Sequence, residues 1–180
     1  MRNTTFTIMA VLVLLLGVCG SGQAKTYEEK PPLPEFSNFN PKHWFNSPPL
    51  KKADLKGKVV LIDVWTFDCW NCYRSFPWLH ELEEKFAAKD FQVIGIHTPE
   101  FSHEKQPQNV ADKITQFKLQ HPVMMDNNFA YWKALRNRYW PAFYLVDKQG
   151  RLRFSYIGET HSGDLNATAM EYQIEQMLKE

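Results

Sequence analysis
The chain has 180 residues, 44% apolar and 14% aromatic, enough to bury one real core without invoking a second domain. Its 21 basic and 20 acidic residues leave a formal net charge of +1 and are interspersed rather than blocked, which excludes a basic footprint for nucleic acid. No repeat of fixed period and no low-complexity tract is present, which argues against solenoid and tail-like architectures.

The N-terminus reads as an export signal. Arg2 supplies a lone positive charge, Phe6 to Val18 is a nearly unbroken apolar run too short to span a bilayer comfortably, and small residues follow. Gly22-Gln23-Ala24 suits a cut before Lys25, so residues 1–24 are expected to form a signal peptide that leaves a soluble, exported, periplasmic chain. Two alternatives stay open. Leu16-Gly17-Val18-Cys19 loosely resembles a lipobox, with bulky Val18 where a small residue is wanted, and would anchor the chain by a lipid on Cys19; or the segment is retained as an anchor. Membrane association is expected only through such an N-terminal anchor. Export leads to a compartment where disulfides persist, and loss of Cys19 would leave only Cys69 and Cys72 there.

Residues 25–42 carry Pro31, Pro32, Pro34 and Pro41, too many for a helix and poor for a central strand, and are expected to be a tether. An irregular lead-in follows, with Trp44, Phe45 and Leu50 available to pin it. Val59 to Trp65, "VVLIDVW", is a β-branched apolar run of buried-strand length. The stretch "WLHELEEKFAAK" predicts an amphipathic helix with Leu79, Leu82 and Phe86 on one face and Glu81 one turn from Lys85. Phe91 to His97 predicts a second strand, Asn109 to Leu119 a second helix, and "HPVMMD" a short extended segment in which Met124-Met125 reads as core filling rather than a copper site. "NFAYWKALRNRY" sets Phe129, Trp132 and Leu135 at helical spacing. Pro141 to Asp147 predicts a strand, Lys148-Gln149-Gly150 a turn and "RLRFSYIG" its hairpin partner. Thr168 with Glu171 matches a capping box, opening a last helix with Met170, Ile174 and Met177 on its apolar face. Strands alternating with helices, closed by a hairpin and a helix, predict an α/β fold with a mixed central sheet covered on both faces.

Two of the three cysteines sit in "TFDCWNC", at the junction of the first long strand and its helix. There the unpaired N–H groups and the positive end of the helix dipole favour a thiolate on Cys69, while Cys72, one turn on, faces inward. That asymmetry suits disulfide exchange, with an exposed attacker and a sheltered second thiol. Two other readings stand beside it. A structural zinc site wants four ligands, and only six scattered histidines accompany the pair. A structural crosslink over so small a loop restrains the unfolded chain little.

These residues resemble the thioredoxin superfamily in its exported TlpA/ResA-like branch, and most particularly the thioredoxin-like domain at the C-terminus of DipZ-type cytochrome-c-biogenesis proteins. The likeness covers residues 43–180 and rests on "KGKVVLIDVWTFDCWNC", "VIGIHTPEF" and "YWPAFYLVDKQGRL". It implies a thioredoxin-like fold in which Cys69 is the nucleophile and Cys72 the resolving thiol. It further implies that Asp63 is the buried acid exchanging a proton with Cys72, against the plainer reading of a strand carboxylate with a local hydrogen bond. Pro77 matches the proline that kinks the active-site helix. Pro141 matches the cis-proline beside the disulfide, with Trp140 before it meeting the bound substrate chain. Gly158 matches a glycine where a partner backbone approaches.

The chain also departs from the family. Trp70-Asn71 is neither the dipeptide of strongly reducing thioredoxins nor that of strongly oxidising relatives, so Asn71 and its neighbours are expected to tune the potential. Ser75 stands where several exported reductases carry an acid. Asp68 precedes Cys69, and a carboxylate there disfavours the thiolate, opposing the helix dipole. Trp70 and Trp140, flanking the sulfurs, are candidates for substrate binding, as exposed aromatic patches sometimes are, whereas Trp132 suits core packing. His97 and Glu100, in "HTPE", are weaker candidates for proton transfer.

The expected function is an exported thiol-disulfide oxidoreductase acting on protein thiols and disulfides, as a reductase rather than an oxidase. It needs no bound cofactor and no metal, and the resemblance suggests a membrane thiol-electron transporter as donor and apocytochrome c as one substrate. Two other readings are a thiol peroxidase, since Thr66 and Cys69 fit T-x-x-C although Ile62 stands where its proline belongs, and a copper-binding module on the same fold.

Overall fold
A computed structural model describes residues 24–180; the greater part of the expected signal peptide, with Cys19, lies outside the described residues. Seven strands form one mixed sheet: β1 (Ala24–Thr26), β2 (Trp44–Phe45), β3 (Val59–Trp65), β4 (Phe91–His97), β5 (Val123–Met125), β6 (Ala142–Val146) and β7 (Leu152–Ile157). They run across the sheet in the order β1-β7-β6-β3-β4-β5-β2. β3, buried along its whole length, lies at the centre, parallel to β4 and antiparallel to β6. Its unbroken apolar run is what a strand covered on both faces requires.

Four helices complete the fold: α1 (Trp70–Phe86), α2 (Pro107–Gln116), α3 (Ala130–Ala134) and α4 (Leu165–Lys179). Alternation along β3 divides the interior in two. Leu61 and Trp65 join a core closed by Phe76, Leu79 and Leu82 of α1, Val110 and Ile114 of α2, and Met170 and Ile174 of α4. Val60, Ile62 and Val64 join a second core with Leu33, Phe36, Trp44 and Tyr131. Met125 fills the first core and Met124 the second. Each fully buried large side chain contributes about 1.5–3 kcal/mol.

Leu33 and Phe36 correct the sequence reading of residues 25–42 as a tether. The segment belongs to the fold: Tyr27 N donates to Arg153 O (2.8 Å), Leu33 N to Gly150 O (2.9 Å), and Leu152 N to Pro31 O (2.8 Å). β1 pairs with β7. Leu33 and Phe36 are buried, and Phe36 stacks on Tyr131 with ring centroids 5.4 Å apart. The prolines are tolerated because this backbone runs along the sheet's edge and across its face, where no ladder N–H is demanded of them. Two helices also differ from expectation. α3 stops at Ala134, before a left-handed Arg136 (φ 55°), instead of continuing through residues 135–139. α4 begins at Leu165, before Thr168, because Asp164 caps it by accepting from Ala167 N.

Candidate active site
β3 delivers the chain to its carboxyl end at Trp65, and the loop Thr66-Phe67-Asp68 turns it into α1. Cys69 is the N-cap of α1: its Sγ accepts from Cys72 N at 3.1 Å, occupying one of the four N–H groups a helix start leaves unpaired. The two cysteines are joined in a disulfide. Cys69 is half-buried, whereas Cys72 is 1% exposed, among Leu61, Trp65 and Phe76. The sulfur pair therefore has one face toward solvent and one into the core.

Around the outward sulfur, Trp70 is 66% exposed and packs on Tyr73, with ring centroids 5.3 Å apart. The Trp140–Pro141 bond is cis. Ala142 pairs with Val64, so the register sets this bond just beyond the end of β3, beside the cysteine loop. Trp140 donates its Nε1–H to Thr98 O (3.0 Å) and lies against Trp132 at 4.3 Å between centroids. Gly158 closes this wall, its N–H donating to Pro141 O (3.0 Å). Its φ of 106° requires glycine by conformation, since a Cβ there would meet open space. Ser75, in the place of the expected acid, is buried; its Oγ donates to Asn71 O (2.8 Å) and accepts from Thr160 N (3.0 Å), tying α1 to the loop after β7. Asn71 itself is exposed.

Asp68 makes a contact that the sequence did not announce, at 2.6 Å from His103 Nε2. Beneath it, Glu104 is fully buried and gathers four donors: Thr66 Oγ1 (2.5 Å), Asp68 N (3.1 Å), Glu100 N (2.6 Å) and Phe101 N (2.7 Å). One side chain thus fastens the loop after β4 to the cysteine loop. Thr66 Oγ1 donates to Glu104 and lies 3.3 Å from His97 Nε2. His97 is enclosed, and burial pushes its pKa down to about 4. Its acidic neighbour is Glu104 rather than the exposed Glu100.

Asp63 lies inside, on the face of the sheet covered by α1, at 1% exposure. Burial pushes its pKa up to about 7, with His121 pulling it down and Glu83 pushing it up. A carboxyl in that range gives or takes a proton near neutral pH. Glu104, His103, His121 and Glu83 carried no signal as site residues: His103 is 35 positions from Asp68, Glu104 is 38 from Thr66, and His121 is 38 from Glu83. Only Glu104, three residues after a chain entry at Phe101, shows half of a capping pattern. Among the described residues no group of three or more His, Cys, Asp or Glu is placed to hold a metal, and no helix is long and apolar enough to cross a membrane.

A helix-flanked mixed sheet, a CxxC disulfide at a strand-to-helix junction and a cis-proline beside it define a thioredoxin-like protein. The Redoxin family model matches residues 31–174, and the chain belongs to that family. It is 43% identical over 140 residues to Protein DipZ of Mycobacterium bovis, a match covering 76% of this chain but only 19% of that much longer protein. It is 27% identical over 127 residues to the thiol-disulfide oxidoreductase YkuV of Bacillus subtilis, covering 71% of this chain and 84% of YkuV. In fold it is similar to the thioredoxin-like superfamily protein SPOA0173, with a TM-score of 0.72 at 25% identity over 83% of this chain and 97% of that one.

Proposed function
We propose that the chain is an exported thiol-disulfide oxidoreductase that exchanges electrons with protein cysteines through Cys69 and Cys72, and that it works as a reductase. The observation that carries this reading is the unequal exposure of the two bonded sulfurs at the start of α1. In the reduced protein the Cys69 thiolate attacks a substrate disulfide, the substrate S–S bond breaks, and one substrate sulfur leaves as a thiol after taking a proton. Cys72 then loses its proton and attacks Cys69 Sγ. The Cys69–Cys72 bond forms, the mixed disulfide breaks, and the second substrate sulfur leaves reduced, so two electrons pass from protein to substrate.

Trp70, Tyr73, Trp140 and Pro141 supply an apolar rim on which an extended substrate chain rests. Strong oxidants of this class hold a stabilised thiolate. Asp68, a carboxylate adjoining Cys69, works against that stabilisation and supports the reducing direction. Export rests on the charge and apolar run of residues 1–24. On the likeness to DipZ-type proteins, re-reduction falls to a membrane thiol-electron transporter.

Equilibrating the pair against glutathione tests the direction. A potential near that of thioredoxin, about −270 mV, supports the reductase; one near about −120 mV makes it an oxidase. Cys72→Ser is expected to trap substrates as mixed disulfides on Cys69, and failure to trap any protein thiol defeats the proposal.

A further inference from the structure
The inner face of the sheet holds a polar cluster that disulfide exchange as written above does not use in full. In the ladder, Asp63 of β3 lies opposite Gly95 of β4, and Gly95 opposite Val123 of β5. A Cβ at Gly95 would come within 2.9 Å of Trp65 Nε1 and 3.2 Å of His121 Nε2. The two ring nitrogens therefore occupy the space a side chain would take, next to Asp63. Asp63 Oδ2, Trp65 Nε1 and His121 Nε2 are all buried and have no hydrogen-bond partner among the described residues. His121 Nδ1 lies 3.2 Å from both carboxylate oxygens of Glu83. A carboxylate only accepts, so in the neutral ring Nδ1 carries the proton and Nε2 presents a lone pair in the space over Gly95, the residue opposite Asp63 in the ladder.

Glu83 stands about three turns beyond Cys72 on the same face of α1, which is roughly 16 Å along the helix. The His121 side chain is 1% exposed and that of Glu83 26%, and both line a surface recess of about 210 Å³ with Gln92, Gln120 and Pro122. The row Asp63, His121, Glu83 thus begins beneath the redox pair and ends in water away from its mouth.

We propose that Asp63, His121 and Glu83 form a proton path that carries the Cys72 proton to and from solvent beneath α1. The inference rests on the disulfide-exchange reading. When Cys72 attacks Cys69, its proton passes to the Asp63 carboxylate; Asp63 gives a proton to His121 Nε2, and the Nδ1 proton passes to Glu83 and on to water. The reverse order returns a proton to Cys72 when the pair is reduced. The path has a use at the moment of reaction, because a substrate held in mixed disulfide covers the aromatic rim and the direct route to solvent. The raised pKa of Asp63 accords with the first transfer. Other elements packed on Asp63 add no competing charge: α1 contributes Cys72 and Glu83, β4 Gly95 and β6 Phe143, while α2 and α4 turn apolar side chains inward. His80 of α1 lines a different recess, with Pro77 and His161.

The test is stopped-flow measurement of mixed-disulfide resolution from pH 5 to 9, with insulin as substrate. His121→Gln is expected to slow resolution about ten-fold at pH 7, the low end of what a positioned proton carrier supplies, with the deficit narrowing as pH rises and hydroxide takes over. Glu83→Gln is expected to slow it less, and the double variant no more than His121→Gln alone. A merely structural role would lower the rate equally at every pH. Profiles of both single variants that superimpose on the parent overturn the path while leaving disulfide exchange intact. Absence of any Cys72-dependent exchange in the parent overturns both.

Discussion

Two carboxylates near the cysteine pair, Asp63 and Glu104, are buried in opposite surroundings. Glu104 is 0% exposed and Asp63 is 1% exposed, so burial does not distinguish them. Their neighbours do. Glu104 is met by a hydroxyl and three backbone N–H groups of the loops it joins, whereas Asp63 keeps Oδ2 without a partner among the described residues and has its pKa pushed up to about 7. A buried acid surrounded by donors fastens the loops it joins; a buried acid denied donors has its pKa pushed up by desolvation.

Substitution costs the most at Glu104. Glu104→Ala strands four donors at about 1–3 kcal/mol each where they stay dry. The melting temperature is expected to fall by roughly 10 °C or more. A calorimetric melt matching that of the parent would remove Glu104 from the role given to it. Asp63→Asn is expected to act with the opposite sign. The folded chain holds a proton on Asp63 that the unfolded chain releases above about pH 4, so the stability tied to this group falls as pH rises from about 4 to about 7 and stays lost above. Asparagine cannot release that proton. The oxidised variant should gain on the order of a few kcal/mol at pH 8 and almost nothing at pH 4, while exchanging disulfides about ten- to a hundred-fold more slowly at pH 7. Equal stability gains at the two pH values in urea unfolding would show that Asp63 does not titrate in this way.

The smallest effect is expected at the surface, where Asp68 is exposed and paired with His103. Asp68→Asn should let the Cys69 thiolate form at lower pH, and His103→Ala should move it the other way, both seen in the pH dependence of alkylation. Shifts of the same sign in the two variants would contradict the charge argument.

What the sequence disclosed follows from how locally each feature is encoded. β3, β4 and α1 announce themselves through runs and periods contained in a single stretch, and Cys69 and Cys72 lie only three residues apart. Residues 25–42 did not, because their buried residues, Leu33 and Phe36, are separated by prolines and polar residues and gain their place only against Tyr131 and β3. Asp63 was legible as a charge in an apolar strand. Its companions were not: His121 meets Glu83 across 38 residues, and nothing near either position marks the meeting. Glu104 sits in "SHEK", which reads as ordinary solvated loop until the fold closes over it. Gly95 carries the same lesson, since its missing side chain makes sense only once Trp65 and His121 are seen to fill the space.

The first two strands in sequence are the two outermost in space: β1 borders β7 and β2 borders β5. The chain between them passes over one face of the sheet, dropping Leu33 and Phe36 into the core on the way. Seven strands at their usual spacing are roughly 29 Å wide, well within reach of the intervening residues. One continuous strap therefore seals both open borders, the places where a sheet is most prone to recruit foreign strands. Between those two short border strands, Leu33 and Phe36 pin the span to the core, so the same segment that blunts both margins is itself held down in its middle.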